Sequence, residues 1–485
     1  NFYSYTEPEF PTVTHHWGTG VIFYHIWKSF GFYGVSLFYT AILLATFLIF
    51  FWLAQRLSSF SYAFIFAVLS LPLITSRVEI RPEGFSALLL GVYFFLLYSV
   101  KLKKISFKVL WVLPFLQLLW TNLHIFFIFG PFLILLFLLD NQWQEERVSQ
   151  KLWVFLFLAT ALVCFINPFG IKGVLTPFFI LKEYGYMLAE NQSVFFMQKR
   201  FPKNPLYIHY ELMIGVIFFI TVLNLWMKKW KSIFIAFILL GMFSVLAFKS
   251  IRAISFFGFL FIPCGALLSF QLLDQLPFKR KNIMAGIVMV SCFGLVLAGL
   301  IGKKHYYSPY QKLNLPFIIE DIEQARLWSG VALKNFRILP GLLPRVNQSA
   351  EFFKQNHLEG PIFNNYDIGG YLIYHLYPTE KLFVDNRPES YSVDFFQKTY
   401  IPMQSNEKVW QAMDRQYQFN CIYFYRHDIT PWAQPFLIRR ITDPAWAPVY
   451  VDWYTIILLK RNPINTKVIQ QYELPQSLFS VSTNE

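Results

Sequence analysis

Glu7, Glu9, His15 and His16 stand close together near the start of the chain. A carboxylate in such a segment can act as general base toward a hydroxyl. Glu7 and Glu9 could instead hold a divalent metal, Mg or Mn, with the imidazoles as ligands or proton carriers. The competing explanation is a solvated loop, because an exposed acid costs nothing. A second cluster, Arg77, Glu79, Arg81 and Glu83, packs four charges into a short turn. It can be an internally salt-bridged turn, or Arg77 or Arg81 can contact a phosphate while Glu79 or Glu83 orients it or meets a sugar hydroxyl. A third pairs Asn122 with His124, where a histidine among apolar residues can equally be a satisfied core group. In the fourth, Lys249 and Arg252 flank one turn, and two cations there suit a lipid phosphate or diphosphate. The fork of Arg252 is the better match, and headgroup snorkelling is the alternative.

The clusters lie at the ends of apolar stretches. Candidate membrane spans run from about 34 to 54, 60 to 76, 83 to 100, 109 to 121, 123 to 139, 152 to 166, 211 to 227, 232 to 248, 253 to 272 and 283 to 301. About 13 Lys or Arg fall in alternate gaps, and by the positive-inside rule those gaps face the cytoplasm. All four clusters and the region after Gly302 then lie outside. The stretch from His16 to Phe32 reads as an amphipathic interfacial helix, and Asn167 to Glu211 as a second long outer segment too long for a turn. The reading divides the chain into a first outer loop (1–33), a transmembrane region (34–302, with the outer loop at about 167–210) and an extracytoplasmic region (303–485). Because Asn1 would lie outside, a further transmembrane helix is expected before it.

Composition supports this class. Hydrophobic residues make up 55% of the chain and charged residues only 14%, unlike a soluble globular protein. The net charge of +14 belongs to the membrane half, so it argues for topology and anionic lipid rather than nucleic acid. Cys164, Cys264 and Cys292 lie in apolar stretches, which leaves Cys421 without a disulfide partner beyond Gly302.

From about residue 340 the periodicity changes to alternating short strands and helices, which predicts a small α/β sandwich with a largely parallel sheet. Expected strands are Pro361–Asn364, Lys381–Asp385, Cys421–Tyr425, Val449–Val451 and Trp453–Leu459. Expected helices are Ile368–Leu376, Val393–Gln416 and Pro431–Ile441. Asp367, Asp385 and Arg387 follow two of the strands, where α/β sheets place their sites, although Asp367 can simply cap a helix. No GxGxxG or Walker sequence follows any strand.

The architecture, together with the phrases SYTEPEFPTVTHHW, RPEGFS, TNLH, NPFG, YDIGGYL and FVDNRPE, resembles the GT-C class of integral-membrane glycosyltransferases, in particular bacterial members. The resemblance covers nearly the whole chain. It implies a polytopic α-helical fold of about ten spans in the bacterial inner membrane, with one more span before Asn1 and a C-terminal extracytoplasmic α/β domain. It implies transfer from a polyprenyl-phosphate sugar to an extracytoplasmic glycolipid, polysaccharide or protein. The catalytic acid maps onto Glu9 or Glu7, where the class usually has Asp. His15, His16, Arg77, Glu79, Arg81, Glu83, Asn122, His124, Lys249, Arg252, Asp367, Asp385 and Arg387 become candidate substrate contacts. Implied partners are the lipid-linked donor, membrane lipids and envelope-complex subunits, with no nucleic acid. YDIGGYL also resembles the WWDYG motif of oligosaccharyltransferases but lacks its Trp pair. A transporter or a noncatalytic envelope protein is the alternative from a different class; polarity gathered at one face, rather than spread through the spans, argues against transport.

Overall fold

The computed structural model describes residues 1–77, 79–145, 147–179, 184–202, 204–273, 317–319 and 346–481. These fall into two compact units. One comprises the described residues of Thr14–Leu181 and Met187–Tyr307; the other comprises those of Asn1–Val13, Lys182–Tyr186 and Ser308–Glu485.

The first unit is helical. Among the described residues six helices are long and apolar enough to cross a membrane, and three shorter apolar helices accompany them. α1 (Trp17–Leu57) is interrupted at Gly31, whose φ of 63° is a conformation that only glycine adopts readily. The break falls at the end of the expected interfacial helix, just before the first expected span. α2 (Phe60–Ile74), α3 (Glu83–Lys101), α4 (Leu113–Leu123), α5 (Phe129–Asp140) and α6 (Gln150–Val163) follow. Next come α7 (Ile171–Phe179), α8 (Val194–Arg200), α9 (Pro205–Trp226), α10 (Trp230–Lys249) and α11 (Ile254–Leu273). The expected span at 283 to 301 lies outside the described residues.

α11 is buried along most of its length and packs against α2, α10, α1 and α9. Lipid tails are as apolar as leucine, so helix association in a membrane depends on close packing rather than hydrophobic burial. Gly258 and Gly265 supply that closeness toward α2. A Cβ at Gly265 would lie 2.4 Å from ring carbons of Phe66, and one at Gly258 would lie 2.9 Å from the Cβ of Leu73. Gly265→Val is expected to destabilise the unit by about 1–3 kcal/mol through overpacking. A lower melting midpoint of the purified protein in detergent checks this; an unchanged midpoint contradicts it.

The second unit holds a four-stranded sheet of order β2-β3-β5-β4, built from β2 (Ile362–Asn364), β3 (Cys421–Tyr425), β4 (Trp446–Val451) and β5 (Thr455–Lys460). β1 (Phe317–Ile319) pairs antiparallel with β6 (Phe479–Val481) in a separate ribbon. Only β2 and β3 run parallel; β3–β5 and β4–β5 are antiparallel, so the sheet is mixed rather than largely parallel. The segment joining β4 to β5 is far too short for the crossover a parallel pair requires. Cys421 and Tyr423 face one buried layer with Phe353 and Leu372, while Phe424 meets Phe363 and Phe436 on the other face.

Lys381–Asp385 forms no strand and contributes only isolated bridges at Leu382. The Asn364 side chain takes the place of a ladder, accepting from the Phe383 amide (3.0 Å) and donating to the Val384 carbonyl (2.7 Å). The N-terminal segment completes the pairing. Tyr5 N donates to Leu382 O, and Leu382 N donates to Tyr3 O. Residues 1–13 therefore belong to the sheet-bearing unit, whereas His15 and His16 belong to the helical one.

Candidate functional site

In the helical unit, three turns bring together Arg77, Arg81, Glu83 and Arg252. The turn before α3 carries Arg77 and Arg81, the first turn of α3 carries Glu83, and the turn between α10 and α11 carries Arg252. At the centre is Glu190, in a one-turn 3-10 segment of the long loop before α8. Its carboxylate lies 3.0 Å from Arg77 and 2.8 Å from Arg81, and it also pairs with Arg252. Glu83 lies 3.5 Å from Arg77 and 3.4 Å from Arg252. Ser250 Oγ donates to the Glu190 carbonyl (2.9 Å), and Ile251 N donates to Gln192 O (3.0 Å), which fixes the loop on the α10–α11 turn. Burial opposes ionisation of Glu190, but Arg252, Arg81 and Arg77 outweigh it and hold the carboxyl below its ordinary range.

Three guanidiniums surround the carboxylates of Glu190 and Glu83, and Glu79, which borders the same cavity and acts on Arg77, brings the charges of the cluster to balance. Each guanidinium presents a planar fork that suits phosphate oxygens. The adjoining cavity, bordered by Tyr39, Arg77, Glu83 and Phe256, is only about 20 Å³, so it holds a water but not a sugar. Glu190 itself fills the space among the three guanidiniums.

Glu190 escaped the sequence reading. The length of its loop signalled a structured role, but nothing local marked this acid as the partner of arginines more than sixty residues away. Of the other expected contacts, Glu79 is exposed and Lys249 is exposed in the last turn of α10. The His15 and His16 rings meet edge to face, 4.7 Å apart.

Asn122 and His124 are held by hydrogen bonds within the unit. Asn122 accepts from Trp17 Nε1 (3.0 Å) and donates to the carbonyls of Leu118 and Ile166. This commits its amide to holding the start of α1 on the end of α4. His124 Nδ1 lies 2.7 Å from Ser86 Oγ, which accepts from Trp120 Nε1 at 2.7 Å. Ser86 Oγ has a second acceptor site beside the one that Trp120 fills, so it either donates to Nδ1 or accepts from it, according to the His124 tautomer.

In the sheet-bearing unit the two N-terminal acids differ. Both oxygens of Glu7 are engaged, accepting from Ser392 N (2.6 Å) and Ser392 Oγ (2.7 Å). Glu9 is exposed and makes no hydrogen bond or ion pair with the described residues. Among the described residues no group of three His, Cys, Asp or Glu side chains stands together as metal ligands would.

Asp385 and Arg387 pair with each other, with Arg387 donating through Nε (2.9 Å) and Nη2 (2.8 Å). Tyr391 OH also donates to Asp385, and Arg387 reaches Asn1 and stacks over Tyr3. Asp385 is spent on Arg387 and Tyr391, and Arg387 divides its donors between Asp385 and Asn1. Gly369 lies against this element, where a Cβ would come within 2.4 Å of Asp385 Cα.

Asp367 makes no helix-capping bond and instead neighbours Asp428, which follows the parallel strand β3. Asp428 is buried and accepts from Asn365 Nδ2 (2.9 Å) and from Thr430 N and Oγ1. Although Asp367 retains an exposed surface, crowding by protein and the Asp428 charge raise its carboxyl above its ordinary range. Asp428 was discoverable by the reasoning that selected Asp367, since both follow strands that run parallel.

No known family description matches the chain, and no curated protein sequence matches it.

Proposed function

We propose that this protein is an integral-membrane glycosyltransferase that moves one sugar from a polyprenyl phosphate to an extracytoplasmic glycolipid, polysaccharide or protein. The reading places it in a bacterial inner membrane with its sheet-bearing unit outside. The observation that supports it is the convergence of Arg77, Arg81 and Arg252 on the single carboxylate of Glu190.

In this reading an acceptor hydroxyl oxygen attacks the anomeric carbon, the bond from that carbon to the phosphate oxygen breaks, and the bonding pair leaves with polyprenyl phosphate. The hydroxyl proton passes to a carboxylate base, the role that the resemblance gives to Glu9 or Glu7. Arg252, with Arg77 and Arg81, stabilises the charge that gathers on the departing phosphate. Glu190 must yield part of its seat for the phosphate to enter.

The same pairing also favours a second reading, a noncatalytic membrane protein whose ion network only fastens three segments together. Polyprenyl-phosphate binding, measured by native mass spectrometry, separates the two. Arg252→Gln is expected to weaken binding by about tenfold or more, the worth of a charge-assisted hydrogen bond. Equal binding by wild type and variant would overturn the assignment.

A further inference from the structure

Arg426 directly follows strand β3 in the sheet-bearing unit and is only 7% exposed. Its Nε donates to the carbonyls of Asp452 (2.8 Å) and Trp453 (3.2 Å) in the β4–β5 turn. Neither Nη1 nor Nη2 has a hydrogen-bond or ion-pair partner among the described residues, and both still touch solvent. Asp452 acts on this charge but forms no ion pair with it. The Asp452 carboxylate accepts instead from Tyr450 OH, the amides of Tyr454 and Thr455, and Thr455 Oγ1. Asp428, the next acid along the chain, is spent on Asn365 and Thr430. Burying a guanidinium is costly unless it is paired. Holding the turn needs only Nε, so the open Nη fork has no structural task.

The groups beside it suit a sugar. His427 Nε2 donates to the same Trp453 carbonyl, an oxygen that can only accept. Burial, aided by the Arg426 charge, pushes the imidazole down to about 4, so the ring is neutral and Nδ1 carries a lone pair. Nδ1 has no partner among the described residues and touches solvent. Trp453 is 53% exposed, and its flat apolar indole matches the C–H face of a pyranose ring. A single exposed tryptophan is ordinary. This one stands on the turn that Arg426 and His427 both hold.

We infer that the end of β3 is a binding site for an acidic sugar, whose carboxylate or phosphate takes the Arg426 fork while a hydroxyl donates to His427 Nδ1 and the ring lies on Trp453. The site lies within the sheet-bearing unit, and binding there does not depend on the transferase reading.

The test titrates purified full-length protein with trigalacturonic acid, its carboxyl-reduced counterpart or galactose 1-phosphate, with binding read by saturation-transfer NMR. The acidic trisaccharide is expected to bind about tenfold more tightly than the reduced one, and Arg426→Gln should erase that margin. Arg426→Lys keeps the charge without the fork and should restore only part of it. Trp453→Ala should weaken both trisaccharides severalfold with the melting midpoint unchanged, which keeps the test decisive if the Arg426 variants lose stability. Galactose 1-phosphate that displaces the acidic trisaccharide, and no longer binds Arg426→Gln, would support the site with phosphate as the anion. The inference is overturned if wild type does not distinguish the two trisaccharides, if the margin survives in Arg426→Gln, if Trp453→Ala binds as wild type does, or if a triglutamate peptide binds more tightly than any of the sugars.

Discussion

Arg252→Gln is expected to lower turnover of a polyprenyl-phosphate sugar by about 10²- to 10³-fold, the usual effect of removing one donor from a developing anion. Arg252, like Arg77, meets both Glu190 and Glu83, and it alone of the three arginines comes from the turn between α10 and α11. Arg252→Lys keeps the charge but loses the fork, so turnover should recover only in part. Glu190→Gln should act in the opposite direction on binding. It removes the carboxylate that competes with phosphate and should tighten polyprenyl-phosphate binding severalfold, while the loop loses its charged anchor and the melting midpoint falls. A purely structural network predicts the lower midpoint without the tighter binding. Single-turnover rates and binding isotherms for the three variants check the set.

The second large effect concerns the acids near the start of the chain. Glu9→Gln should reduce turnover by about 10²- to 10⁴-fold, the range for loss of a general base. It should leave the melting midpoint unchanged, because the Glu9 carboxylate touches no described residue. Glu7→Ala should do the reverse. It removes two bonds to Ser392 and should destabilise the sheet-bearing unit by about 1–3 kcal/mol, with turnover of the folded fraction retained. Paired activity and thermal measurements check both; wild-type turnover in Glu9→Gln would remove the base from the mechanism.

Much of the helical unit was legible because its signal is local. Apolar runs long enough for a bilayer mark their own positions, and Gly31 stands where the interfacial pattern gives way to the first span. Cys421–Tyr425 was equally plain, a β-branched and aromatic run closed by a charged segment. The sheet direction could also have been read from the short connection between Val451 and Thr455, but the alternation of strands and helices drew attention away from it. Asn364 shows a limit of another kind. Nothing in its neighbourhood says that its side chain will take the hydrogen bonds of residues 383 and 384 and so replace a strand ladder.

The candidate site was half legible. Arg77, Arg81, Glu83 and Arg252 were conspicuous as charges beside apolar stretches, where an unpaired charge is costly. Their common partner Glu190 was hidden by distance along the chain. Asp385 and Arg387 stand out instead as the end of an expected strand, yet they pair with each other, and the Asn122 amide is committed to Trp17, Leu118 and Ile166.

The most direct test of the account is release of free polyprenyl phosphate by the purified full-length protein, supplied with a panel of polyprenyl-phosphate sugars and extracytoplasmic acceptors. Release from at least one donor is expected, lost in Glu9→Gln and sharply reduced in Arg252→Gln. No release from any donor, together with polyprenyl-phosphate binding that Arg252→Gln leaves unchanged, would contradict it.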